Sequence, residues 1–405
     1  MPSRHSKHAR RQPVAPRRHR RDVDPTADRV RGAALASQQP LIQEFRAALR
    51  GDPLTFPLAM STFVAAAETS EGAANLSMLV ETFEQIEVAE TTAALHVVGA
   101  LLDGPLGESA RRIALTRRHP VPLAVSGLAG ARVYEAHQMG HALADGDDIV
   151  LGVRWPGVGE LTLLCYVDHN LGTVVKDAFL AHAPVTKIVA ELRDLSADTA
   201  GIEFSELGLA DARAKLDQAV AQGRRLTPEP TSETWPMCRP VLEKLLGAMP
   251  SGGEGYAVTE SSDAQRARVL ADFLDSPHAV GLDRRPGSEE ASRADVAFLC
   301  AATAGHRDPL HWSPVTVEFA LTHWFVHGVE AGPDDLRGLP ETLRRVIPYA
   351  HEVRHVPSSL TQETLAAVDQ WDPVFHDLLQ NGPSQPDGLL DELLVDSDAF
   401  FGDLL

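Results

Sequence analysis

Cysteine is scarce in this chain, and so is every local motif that would name a reaction. Cys165, Cys238 and Cys300 are the only thiols in 405 residues, and no CxxC pair occurs. That excludes a disulfide framework and a thiolate metal knuckle, and a reducing, cytoplasmic setting is expected. Lysine is nearly absent, with five residues against 32 arginines, and aromatics make up 5%. No run approaches the ~18 apolar residues of a membrane span, and the first residues carry Arg, His and Pro without the apolar stretch of a secretory signal. No membrane partner is expected. Gly252-Gly253-Glu254-Gly255 and the loop from Arg284 to Ser288 have neither the spacing of a dinucleotide fingerprint nor that of a P-loop, and no nucleophile elbow is found.

What is present is ordinary globular chemistry with a polarised charge. Hydrophobic residues make up 44% and charged residues 23%, and the length suggests two or three folding units. The net charge of −19 divides into +7 over residues 1–32 and −26 over the rest. A basic arm precedes an acidic body.

The pattern predicts a predominantly α-helical α+β fold. Residues 1–24 are arginine- and proline-rich with too few apolar side chains to offset chain entropy, and read as a disordered basic arm. Helical spacing dominates 25–145, with Asp52-Pro53 and Asn75 as starts. Alternation then takes over across 146–182: Ile149, Leu151, Val153 and Trp155, then Leu161 to Val167, then Thr173 to Leu180. These read as a small three-stranded antiparallel β-meander between two helical units. A second helical unit covers 183–380, with Ser313-Pro314 as its clearest start, and 381–405 reads as a linker and an acidic amphipathic tail.

The densest chemistry lies between the last two strands, in Cys165 to Asp177. Turn geometry alone accounts for part of it: Asp168 suits an Asx-turn, Asn170 and Gly172 a left-handed backbone. With His169 to Gly172 as the loop, Cys165 falls opposite Lys176, and Lys176 and Asp177 stand as charges inside an apolar strand, costly unless paired. Asp168, His169, Lys176 and Asp177 are therefore the candidate catalytic or binding residues.

Metal ligation is sought at three His-x3-His pairs, whose helical spacing presents two imidazoles on one face. His137 and His141 lie near Glu135, Asp145, Asp147 and Asp148, an oxygen-rich stretch able to serve a divalent metal. His323 and His327 sit on an aromatic helix and read as buried, hydrogen-bonded rings. His351-Glu352-Val353-Arg354-His355 resembles the HExxH signature of zinc metalloproteases. That resemblance implies two zinc ligands, His351 and His355, with Glu352 as general base. It covers five residues, and Arg354 departs from the uncharged residue usual there.

Residues Tyr166 to Phe179 and His311-Trp312-Ser313-Pro314-Val315 also resemble segments of uncharacterised actinobacterial proteins with no assigned activity. The resemblance implies a bacterial cytosolic setting and no function. Two functions remain open. One is a non-catalytic interaction or adaptor protein, binding nucleic acid or ribosome through the arm and a protein partner through the tail. The other is a metal-dependent hydrolase or ligand-binding enzyme with a site near His169 and Asp168, or at His351 and His355. No organic cofactor is expected; a divalent metal is the one non-protein group the pattern admits.

Overall fold

The computed structural model describes residues 39–381, except 68–69, 227–231, 258–260, 286 and 330–331. The basic arm and the acidic tail lie outside the described residues. Six helices open the described chain: α1 (Gln39–Ala48), α2 (Thr55–Ala66), α3 (Ser70–Gln85), α4 (Ala89–Leu101), α5 (Gly104–Thr116) and the short α6 (Leu123–Gly127). Helix α4 is central. Its Ala93, Ala94, Leu95, Val97 and Val98 are all buried, because small residues on successive faces let neighbouring helices approach from several sides.

One sheet follows: β1 (Arg132–His141), β2 (Gly146–Trp155), β3 (Gly159–Asp168), β4 (Val174–Ala181), then α7 (Val185–Leu195) and β5 (Ile202–Glu206). The strand order is β4-β3-β2-β1-β5, and every pair is antiparallel. Ile149, Leu151, Val153, Leu161, Leu163 and Cys165 face the first helices. Met139, Val150 and Leu164 face Val185, Ile188 and Leu192 of α7. Covered on both sides, β2 and β3 read as near-continuous apolar runs.

The three strands expected from alternation are β2, β3 and β4. The two outer strands correct the sequence reading, since β1 lies inside the stretch expected to be helical up to residue 145 and β5 inside the second helical unit. Neither alternates cleanly. β1 carries Glu135, His137 and Gln138, and its strand state is set by pairing with β2 on one side and β5 on the other, a long-range effect that local periodicity does not record.

Helices complete the chain: α8 (Leu209–Gly223), α9 (Trp235–Gly247), α10 (Asp263–Asp275), α11 (Glu289–Thr303) and α12 (Pro314–Phe319). A π-turn over Ala320–Trp324 joins α12 to α13 (Phe325–His327), and α14 (Pro333–Leu336), α15 (Leu339–Val353) and α16 (Ser358–Asn381) follow. Ser313 caps α12 as its sequence indicates, accepting the Thr316 N–H at 3.1 Å ahead of Pro314. Helices α8 and α9 join the core of the sheet, whereas α10 to α16 build a second core around Phe273, Phe298, Trp312, Leu343 and Phe375. No helix among the described residues is long and apolar enough to cross a membrane.

Candidate functional site

The register of β3 and β4 explains the charges inside the last strand. Tyr166 pairs with Asp177 but Val167 with Val175, so Lys176 is the extra residue of a β-bulge, and Cys165 lies opposite Ala178 rather than Lys176. A bulge re-aims side chains. Lys176 reaches Asp168 Oδ2 at 3.7 Å, with both residues buried. Asp177 points elsewhere. Its Oδ1 accepts from the hydroxyls of Ser232 and Thr234 and from the Ala178 N–H, fastening the segment that opens α9. Asp177 thus anchors structure, and it is not brought to the other three candidates.

Asp168 Oδ1 accepts the Leu171 N–H at 3.0 Å, the expected Asx-turn, and Gly172 takes φ 93°. The second left-handed residue is Thr173, at φ 65°, not Asn170. A β-branched side chain at positive φ is a true outlier. His169 lies between two partners: Nδ1 is 3.1 Å from Thr173 Oγ1, and Nε2 is 3.2 Å from Asp147 Oδ2. Gln138 Nε2 donates to that carboxylate at 2.8 Å, and Lys215 donates to Gln138 Oε1 at 2.7 Å while lying over the Tyr256 ring. The edge of His169 meets the same ring, with centroids 4.8 Å apart.

The second helical unit closes over this end of the sheet. Gly305 packs against the β3–β4 turn so tightly that an added Cβ would overlap the carbonyl oxygens of Asn170 and His169, so only glycine fits. The same loop delivers His306 and His311, whose rings stack at 3.5 Å, and His306 lies 5.6 Å from the His169 ring. His311 Nε2 is 3.3 Å from Asp145 Oδ1, Asn170 Nδ2 donates to that oxygen at 2.9 Å, and Arg354 donates to His311 Nδ1 at 3.1 Å. Ligand atoms of Asp145, His306 and His311 all lie within 4.8 Å of one another.

Burial and charge set the protonation states. Burial drives the Asp145 carboxyl upward, but His311, Ser313 and Asn170 overcome it and hold the group below its usual range. Asp147 behaves alike: burial opposes ionisation, and His169, Gln138 and Lys215 outweigh it. Asp148 has no such partners. Burial and then the neighbouring Asp147 push it up to about 7, and its Oδ1 is buried without a hydrogen bond among the described residues. Asp168 is raised by burial against the pull of Lys176. Burial, then the charges of His311 and His169, lower His306 to about 2.

The metal pairs read from the sequence do not assemble. His137 and His141 lie on a strand, not a helix. His137 Nε2 meets Glu135 at 2.7 Å, while His141 Nε2 donates to the Ala200 carbonyl at 3.0 Å and its Nδ1 accepts the Leu143 N–H at 3.2 Å. The zinc-protease resemblance fails because α15 ends at Val353 and His355 turns away in a left-handed conformation at φ 58°. His351 is occupied by the Trp312 carbonyl at 2.9 Å and Thr361 Oγ1 at 3.0 Å, and Glu352 pairs with His278. His323 and His327 are exposed rather than buried, with ring centroids 5.1 Å apart.

Of the residues gathered at this end of the sheet, the sequence singles out His169 and Asp168 and offers Asp145 and Asp147 as neighbours, whereas His306, His311, Thr173 and Tyr256 are not among its candidates. The separation of 166 residues between Asp145 and His311 leaves no local signal to find. No protein-family model, curated protein or solved structure matches the chain.

Proposed function

We propose that the protein is a hydrolase of ester-type substrates, with Thr173 as nucleophile, His169 as general base and Asp147 as the group that orients and charges the base. The line Asp147, His169, Thr173 carries this reading, at 3.2 and 3.1 Å. An imidazole with a carboxylate on one nitrogen and a hydroxyl on the other is recognised by geometry, whatever the chain order. With Nε2–H donating to anionic Asp147, Nδ1 is left free to accept the Thr173 proton. His169 is 8% exposed, while Thr173 beside it is only partly buried. The left-handed backbone at Thr173, an arrangement worth ~1–3 kcal/mol of strain, supports a role beyond closing a turn.

In the forward step Thr173 Oγ1 bonds to the acyl carbon as His169 takes its proton, and Asp147 stabilises the imidazolium. Collapse breaks the bond to the leaving alkoxide, which takes the proton from His169. Water then enters by the same route, freeing the acid and restoring the hydroxyl. The interaction reading rests on the two ends of the chain, which lie outside the described residues.

Steady-state hydrolysis of p-nitrophenyl acetate by the full chain tests the assignment. Thr173→Ala and His169→Gln are each expected to lower kcat by ~10³-fold or more, with Thr173→Ser retaining activity. A Thr173→Ala rate equal to that of the unaltered protein would sink the proposal.

A further inference from the structure

We infer that Asp145, His306 and His311 form a binding site for one divalent transition-metal ion of the zinc type. Their ligand atoms lie within 4.8 Å of one another, although the residues come from the β1–β2 turn and from the loop after α11. Two details of the cluster are poor as hydrogen bonding and good as ligation. Asp145 Oδ1 and His311 Nε2 are 3.3 Å apart, long for a charge-assisted bond, which prefers 2.7–2.9 Å. Two ligands each ~2.1 Å from a tetrahedral ion stand about 3.4 Å apart. His306 Nε2 is buried with no hydrogen-bond partner among the described residues, and a buried polar nitrogen left unpaired in a native fold calls for an ion, a water or a ligand.

The surrounding charge favours a cation. Asp147, Asp148 and Asp168 lie on the strands beside Asp145, and Asp148 Oδ1 is a second buried oxygen without a partner among the described residues. Two imidazoles and one carboxylate suit zinc or a neighbouring first-row ion and leave a coordination position open. One outer partner is in place: Asn170 orients Asp145 at 2.9 Å. Loading requires the stacked His306 and His311 rings to turn apart so that both lone pairs reach the ion, and the His311 proton to move to Nδ1, which transfers Arg354 from that nitrogen to Asp308, 3.4 Å away. The His306 ring lies 5.6 Å from that of His169, so the ion would sit at the same end of the sheet as the His169 and Thr173 pair. The site stands on its own ligands, and a binding measurement separates its failure from that of the hydrolase reading.

The test is calorimetric titration of the untagged, chelator-stripped full chain with Zn2+ and, for its visible spectrum, Co2+. One equivalent is expected to bind with a dissociation constant below about 10 μM and to raise Tm by several degrees. Asp145→Asn and His306→Ala should weaken binding ~100-fold, with His355→Ala and His137→Ala unchanged. His306→Ala removes a nitrogen with no hydrogen bond to lose, so its result decides should Asp145→Asn fail to fold. Absence of binding at about 1 mM Zn2+, or full affinity in His306→Ala, overturns the site.

Discussion

The two ends of the sheet are built from the same strands and treat charge in opposite ways. At the end where β2 turns into β3, Arg154 and Glu160 pair across the hairpin at 3.1 Å with side chains 54% and 41% exposed, and Arg154 lies over the Tyr134 ring. The charges there stay in water and neutralise each other. At the far end, where β1 turns into β2 and β3 into β4, Asp148, Asp168, His169 and Lys176 are buried, and His306 and His311 are added from a distant loop. A hairpin needs none of that. Burial of charge is costly unless partners are complete, and here they are incomplete at Asp148 and His306. The far end thus buries polar groups that turn geometry alone does not require.

Gly305 gives the hardest way to break this contrast. A Cβ there overlaps the Asn170 carbonyl, so Gly305→Ala should separate the loop from the sheet, at a loss on the order of 4 kcal/mol in denaturant unfolding, with hydrolysis lost too. A near-neutral result would mean that the two units do not meet as described.

Asp148 sharpens the contrast through pH. Its carboxyl titrates at about 7 in the fold against an ordinary 3.8, so the folded chain holds a proton that the unfolded chain releases between those values. Its contribution to stability is therefore most favourable below pH 4 and falls as pH rises to about 7. Asp148→Asn should match the unaltered protein below pH 4 and be more stable above pH 7 by about 2–4 kcal/mol. An equal difference at every pH would contradict the burial argument. At the opposite end Glu160→Ala should change stability by ~0–1 kcal/mol, the value of an exposed pair, and a loss several times larger would erase the distinction between the ends.

Legibility followed the range of the interactions. β2, β3 and β4 were readable because their alternation is local, and Ser313-Pro314 because a cap and a first-turn proline are adjacent in sequence. β1 and β5 were not, since partner strands decide their state. The turn around Asp168 and His169 was readable for the same local reason, and the bulge at Lys176 resolves what looked like an unpaired charge. The other half of the site arrives from residues 305–311, and it takes tertiary contacts, the packing of Gly305 on Asn170 and of His311 on Asp145, to reveal that they meet the turn. The five-residue likeness to zinc proteases misled because a motif does not state where its helix ends, and this one ends at Val353.

Trapping of the acyl group tests the central claim most directly. Intact-mass measurement during rapid-quench reaction with an activated acyl ester should show a single added acyl group per chain, mapped to the Thr173 peptide and absent in Thr173→Ala. Turnover with no added mass, or an adduct that persists in Thr173→Ala, would contradict the assignment of the buried end of the sheet as a catalytic site.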